Sequence, residues 1–220
     1  MNKIVTVINL SKTLGDIRVI DDVSLDVEKG EFLAIQGPSG SGKTTLLALL
    51  AGLEKADAGS ISVGQEDLTS MSEDQLALFR RNNVGFVFQS FNLIPTLNVV
   101  ENIALPLFPA SIPAREMFER STKAAIAVGL GERLKHYPNQ LSGGEQQRVA
   151  IARSLINNPR VIFADEPTGN LDTKTGEKIM ELLRQLNREK NQTFVLVTHD
   201  DRIAGESDRI VKIVDGRIGE

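Results

Sequence analysis

The octapeptide Gly37-Pro38-Ser39-Gly40-Ser41-Gly42-Lys43-Thr44 restricts the fold of this chain more than any other stretch. It satisfies the spacing GxxxxGK[ST], in which glycines let consecutive backbone N–H groups curl around phosphate oxygens. The flanks agree. The apolar run Phe32–Gln36 leads in as a strand, and Leu46-Leu47-Ala48-Leu49-Leu50 leads out as a helix beginning near Lys43. The positive end of that helix would face the anion. Lys43 is then placed to reach the β- and γ-phosphates of a nucleotide, and the Thr44 hydroxyl to ligate Mg²⁺. A plain Gly/Ser turn between strand and helix is the bland alternative, and it does not account for Lys-Thr at this spacing.

A second element, Val161-Ile162-Phe163-Ala164-Asp165-Glu166, is four apolar residues ending in two carboxylates. Such a run fits a buried strand that delivers acid to the carboxyl edge of a parallel sheet. Asp165 would hold Mg²⁺, directly or through water, and Glu166 would polarise an attacking water as general base. Pro167-Thr168-Gly169 follow, so a solvated acidic turn is the alternative; the phosphate loop upstream favours the chemical role. A third element, Leu141-Ser142-Gly143-Gly144-Glu145-Gln146-Gln147-Arg148, reads as a capping box, Ser142 with Glu145, opening an amphipathic helix. Capping leaves the two glycines unexplained, since each costs a helix about 1 kcal/mol relative to alanine. Close backbone approach to an anion would explain them, with Ser142 adding a hydroxyl.

Around these motifs, β-prone runs fall at residues 23–27, Phe32–Gln36, 60–63, 84–88, Val161–Asp165, Thr193–Thr198 and Arg209–Val214, with helical patterns between them. Strands separated by helices imply a largely parallel sheet covered on both faces. The N-terminal residues 1–7 alternate like a strand. The strands before Phe32, and a closing hairpin over 209–218 with its turn at Asp215-Gly216, read as more antiparallel. Residues from about 90 to 158 carry no convincing strand and read as a helical insertion.

Taken in order, the motifs resemble the ATP-binding cassette (ABC) family over nearly the whole chain. Residues 37–44 stand where that family has its Walker A loop, Gln89 its Q-loop glutamine, and 141–147 its signature motif. Val161–Asp165 stands as Walker B with Glu166 after it, Asn170-Leu171-Asp172 as the D-loop, and His199 as the switch histidine. The resemblance implies the ABC ATPase fold: an α/β P-loop NTPase core with a mostly parallel sheet, an antiparallel β subdomain and an inserted α-helical subdomain. It implies one domain over residues 1–220, with a RecA-like core of about 1–89 and 159–220 and a helical subdomain of about 90–158.

The same resemblance assigns ATP to Gly37, Pro38, Ser39, Gly40, Ser41, Gly42, Lys43, Thr44, Thr45 and Gln89, with Ser142, Gly143, Gly144 and Asp172 contributed across a homodimer. It gives Mg²⁺ to Thr44, Gln89 and Asp165, and catalysis to Glu166, His199 and Lys43. One departure stands out. The family usually stacks an aromatic side chain on adenine before Walker A, and the only aromatic residue there, Phe32, reads as buried strand; Leu14 and its neighbours occupy the region. The stretch from Val84 to Leu107, together with Asp165-Glu166-Pro167-Thr168-Gly169-Asn170-Leu171-Asp172, looks like the lipoprotein-releasing and macrolide-exporter cassettes. That implies a separate transmembrane permease subunit and a cytoplasmic place on the inner membrane.

Composition narrows the alternatives. The longest strongly apolar stretch, residues 46–53, is far short of the roughly twenty residues that span a bilayer. Residues 1–7 lack the apolar block and cleavage site of a signal peptide. A net charge of −4 without a dense basic tract speaks against nucleic acid as partner. With no cysteine, disulfides and thiolate metal sites are excluded. A DNA-repair ATPase would need a long coiled coil and a translation factor two cassettes, and neither is present. A cassette that signals to a membrane protein without moving a substrate stays open. His136 reads as a loop residue, and Arg80-Arg81 and the charges from Arg184 to Lys190 as solvated helix faces.

Overall fold

A computed structural model describes residues 2–110 and 112–219; Met1 of the expected first strand, Ser111 and Glu220 lie outside the described residues. Two sheets share one interior. The first is antiparallel, built from β1 (Lys3–Leu14), β2 (Ile17–Glu28), β4 (Ala58–Val63) and β5 (Glu66–Asp67) in the order β2-β1-β4-β5. The second is built from β3 (Phe32–Gln36), β6 (Val84–Val87), β7 (Val161–Asp165), β8 (Thr193–Thr198), β9 (Arg209–Val214) and β10 (Arg217–Ile218). Its order is β10-β9-β3-β8-β7-β6.

Every pair in the second sheet is parallel except β9 with β10. The closing hairpin is therefore antiparallel only at its last strand, since β9 itself runs parallel to β3. The run at 60–63 belongs to the antiparallel sheet, a placement that its β-propensity could not convey.

The central strands β3, β7 and β8 are apolar apart from their polar end residues because both their faces are covered. Leu33, Ile35, Val161, Phe163, Val195 and Val197 point into one core with α1 (Lys43–Leu50) and the antiparallel sheet. Their alternates Phe32, Ile162, Ala164, Phe194 and Leu196 point into a second core. That core is closed by α3 (Val99–Ala104), α4 (Ala114–Ala127), α5 (Gly143–Leu155) and α6 (Thr173–Lys190), with α2 (Glu73–Asn83) lying against β6. The expected capping box at Ser142/Glu145 forms, and so do two more at Ser72/Gln75 and Asn98/Glu101.

One expectation is corrected. Arg184 is not on a solvated face: its guanidinium lies 5.0 Å from the centre of the Phe32 ring and pairs with Asp208 at 3.1 Å. A cation over an aromatic face is attracted by the ring quadrupole, and the aliphatic stem packs as it goes. Arg80 likewise donates to the Gly52 carbonyl oxygen at 2.6 Å. Charge counting along a helix misses such inward guanidinium groups.

Candidate active site

Parallel register puts the chemistry on one edge. Gln36 pairs with Thr198 and Asp165 with Val197, so the loops leaving β3, β7 and β8 emerge side by side, with β6 next in line. Residues 37–44 leave β3, Glu166 leaves β7, His199 leaves β8, and Phe88-Gln89 leave β6. This is the carboxyl edge, where open α/β sheets take their ligands.

The phosphate loop is set by its glycines and by the hairpin beneath it. Gly40 and Gly42 hold φ of +79° and +95°, a region L side chains rarely enter. A Cβ on Gly42 would also lie 2.4 Å from the Val19 carbonyl oxygen of β2. Lys43 is 7% exposed, and its Nζ donates to the Pro38 carbonyl oxygen at 2.7 Å, curled inside its own loop. Pro38, Ser39, Gly40 and Thr44 are exposed, Thr45 is half-buried and Ser41 is buried. Gly42, as cap of α1, offers no side-chain bond, so the first N–H groups of that helix face outward unclaimed by a cap.

The Thr44 Oγ1 donates to Asp165 Oδ1 at 3.1 Å. Burial raises the Asp165 carboxyl above its ordinary range, the Thr44 bond opposes this, Glu166 adds to it and Lys43 counters it. Two hard oxygen donors brought together beside a phosphate loop suit Mg²⁺, which commonly takes one or two protein oxygens and completes its shell with phosphates and water. Thr44 and Asp165 fit the ion. Gln89 is not joined to them by a hydrogen bond; its amide meets Asn170, with Asn170 Nδ2 donating to the Gln89 carbonyl oxygen at 3.0 Å and Gln89 Nε2 facing Asn170 Oδ1 at 3.4 Å.

Glu166 sits at φ +43°, a sparsely populated conformation for a non-glycine residue, costing on the order of 1–3 kcal/mol. Its N–H is held by the Val197 carbonyl oxygen at 3.0 Å. Its Oε1 lies 2.7 Å from His199 Nδ1. An ionised carboxylate only accepts, so the contact places a proton on Nδ1 and leaves Nε2 turned elsewhere. The His199 side chain is 62% exposed against 21% for Glu166. Together they can orient a water and take its proton. A cleft of about 250 Å³ opens between Glu166, Leu171, Asp172, His199 and Arg202.

Ser142, Gly143 and Gly144 open α5 and lie against the 166–175 segment of their own chain. A Cβ on Gly144 would meet the Thr175 methyl at 2.5 Å, and one on Gly143 would meet Leu171 at 3.1 Å. Close packing in cis therefore accounts for the Gly144 position by itself, beside the close approach to an anion expected from the sequence. Ser142 is exposed. Asp172 caps α6, accepting from the Thr175 N–H at 3.1 Å, and the bonds from Thr175, side chain first, hold its carboxyl below the usual range. Phe32 is wholly buried and cannot stack on a base, while Leu14 is 44% exposed at the end of β1.

Comparison with known proteins agrees with this geometry. The family model described as ABC transporter matches residues 20–169. The chain belongs to the ABC transporter family, as its ATP-binding cassette, and it is an ATPase. It is 44% identical over 209 residues to the lipoprotein-releasing system ATP-binding protein LolD of Bacteroides thetaiotaomicron, covering 95% of this chain and 96% of that one. It is 49% identical over 207 residues to the macrolide export ATP-binding/permease protein MacB of Rhodopirellula baltica, covering 93% of this chain but only 30% of that much longer protein. A solved dimeric, post-hydrolysis structure of the cassette MJ0796 with ADP and Pi superposes with a TM-score of 0.89 at 43% identity, over 98% of this chain and 97% of that one.

Four residues that build the site received no role of their own from the sequence, although Asn170 and Gln147 lie inside the D-loop and signature motifs. Asn170 ties Gln89 to the segment after Glu166. Thr175 receives Gly144. Arg153 donates to the Phe91 and Asn92 carbonyl oxygens at 2.8 and 2.6 Å. Gln147 is buried against Pro167. A signal for Gln147 was present: it stands three residues after Gly144 and four before Ile151, a polar side chain on the buried face of a helix.

Proposed function

We propose that this chain powers an exporter or extractor, closing as a homodimer around two Mg-ATP and driving a separate transmembrane permease subunit that moves lipoproteins, peptides or drugs. The 2.7 Å pairing of Glu166 with His199, beside the Thr44–Asp165 pair, carries the catalytic part. In this reading residues 37–45 wrap the phosphates and Lys43 moves from Pro38 to the β- and γ-oxygens. Thr44 and Asp165, with Gln89 nearby, hold Mg²⁺, which neutralises phosphate charge when bound. Glu166 takes a proton from the attacking water, and His199 orients that water and the γ-phosphate. Ser142, Gly143, Gly144 and Asp172 complete the partner's site.

Likeness to LolD and MacB supports the exporter class, and the dimeric MJ0796 cassette supports the pairing. Among the described residues no helix is long and apolar enough to cross a membrane. The reading therefore places the chain on the cytoplasmic face of the inner membrane through its permease. It also treats residues of about 90–158 as a helical subdomain on a core of 1–89 and 159–220.

Glu166→Gln tests the chemistry: ATP binding should persist while turnover falls by about two to four orders of magnitude, the usual worth of a positioned base. Equilibrium binding with steady-state hydrolysis measures both, and wild-type turnover in this variant would remove Glu166 from the mechanism. Mass-spectrometric identification of the membrane protein that co-purifies from native membranes tests the exporter assignment.

A further inference from the structure

Gln147 has no exposed surface, and its Nε2 donates a 2.6 Å hydrogen bond to the carbonyl oxygen of Pro167. A carbonyl only accepts, so the amide nitrogen must be the end that faces it. Pro167 directly follows Glu166 and its left-handed backbone. The other end of the amide, Oε1, is buried with no hydrogen-bond partner among the described residues. An unsatisfied acceptor weakens a fold, and an apolar side chain of similar length would avoid it. That replacement would, however, leave the buried Pro167 carbonyl without its donor, one unsatisfied acceptor exchanged for another, so stability is about even and control of the Glu166–Pro167 link is the reason for an amide here. The same helix reaches the neighbouring loop as well, because Arg153 holds the Phe91 and Asn92 carbonyls just beyond Gln89.

We propose that Gln147 is a positioning residue. It anchors the Pro167 carbonyl, and through it the backbone from which Glu166 reaches His199 and the water. The helix that, under the proposed function, presents Ser142 to a partner thus also sets the carboxylate of its own chain. This rests on Glu166 being the base.

The test compares Gln147→Leu, Gln147→Glu and Glu166→Gln in the full chain, at saturating Mg-ATP and at protein concentrations where specific activity has levelled off. Gln147→Leu should keep the wild-type unfolding midpoint and ATP affinity while kcat drops by about ten- to a hundredfold, the scale of a small misplacement of a reacting group. Gln147→Glu adds a pH signature: its neutral carboxylic acid can donate to Pro167 and its carboxylate cannot, so kcat should fall with rising pH where wild type shows no such limb. Wild-type kcat in a folded Gln147→Leu protein overturns the proposal, as does a loss confined to ATP affinity. If Gln147→Leu does not fold, absence of the extra pH limb in Gln147→Glu overturns it. Full turnover in Glu166→Gln instead removes the base itself, a separable failure.

Discussion

Gly40 and Gly42, at the start of α1, have strongly positive φ, whereas neither Gly143 nor Gly144, at the start of α5, does. The first helix has a cap without a side-chain hydrogen bond. The second is capped twice over: Ser142 Oγ accepts from the Glu145 N–H, and the Glu145 carboxylate accepts from the Ser142 N–H at 2.8 Å and hydroxyl at 3.0 Å. At α1 the glycines free a backbone conformation, and the unclaimed N–H groups suit an anion with no help from elsewhere. At α5 the glycines make room for Thr175 and Leu171, and a carboxylate already sits at the helix start. A phosphate arriving there meets a Ser142 hydroxyl that must turn away from Glu145. Two glycine-rich helix starts thus differ in kind, one open to an anion within its own chain and the other a joint packed in cis, which under the proposed function offers its exposed Ser142 to a second chain.

The largest test of that contrast sets Lys43→Ala against Ser142→Arg. Loss of the Lys43 charge should weaken ATP binding to a single chain by about ten- to a hundredfold, the worth of a charged hydrogen bond. Ser142→Arg should leave that binding nearly unchanged, because the site it damages belongs to the partner. Both variants should be almost inactive alone. Mixed, they should regain part of the activity, since the heterodimer keeps one composite site with both halves intact. Titration calorimetry and steady-state ATPase assays on the mixtures give the result, and no recovery at any ratio would count against a shared site.

A smaller effect separates packing from ligand contact at Gly144. Gly144→Ala forces a methyl against the Thr175 methyl at 2.5 Å. Overpacking of this kind costs about 1–3 kcal/mol, partly offset by about 1 kcal/mol of better helix propensity. Thr175→Ser removes the clashing methyl, and the next atom of that residue stands 3.9 Å away. The double variant should therefore recover stability lost in Gly144→Ala, seen as a return of the urea midpoint. If Thr175→Ser gives no relief, the Thr175 methyl is not what requires the glycine.

The phosphate loop and Walker B strand were legible because their chemistry is local: GxxxxGK[ST] is contiguous, and four apolar residues running into Asp165, bounded by Pro167 and Gly169, fit a short interior strand. Strands β3, β7 and β8 were legible to the residue, since buried central strands are short apolar runs bounded by turns, and β9 was legible from its β-prone run although only Val211 and Ile213 of it are buried. The sheet to which residues 60–63 belong was not, because antiparallel pairing with β1 depends on partners some fifty residues away in sequence. Gln147, Arg153 and Arg184 were hidden for a related reason. Each is a polar side chain turned inward to meet a carbonyl or a ring supplied by a segment distant in sequence, so nothing in its own neighbourhood announces the contact. The roles of Gly143 and Gly144 were half legible: the spacing revealed an anomaly in a helix start, and only packing could reveal Thr175 beneath it.

The least disruptive probe of the contrast is the charge at the start of α5. Hydrogen bonds from the Ser142 N–H, foremost, then its hydroxyl and Arg133, hold the Glu145 carboxyl below its usual range. A carboxylate depressed in the folded state contributes stability that is fully present above the unfolded pKa, about 4.3 for Glu. It is lost as pH falls through the lower folded value. Glu145→Gln keeps a capping-box partner for Ser142 without the charge. Wild type should therefore be the more stable of the two at neutral pH, and its margin should shrink as the buffer is taken below about pH 4.3 into the depressed range. Added salt should narrow the margin at neutral pH by screening the half-buried pair with Arg133. Urea midpoints of both proteins across that range measure the margin directly. A margin that widens on acidification has the wrong sign for a depressed carboxylate, and would mean that the start of α5 is not held by the charge of Glu145.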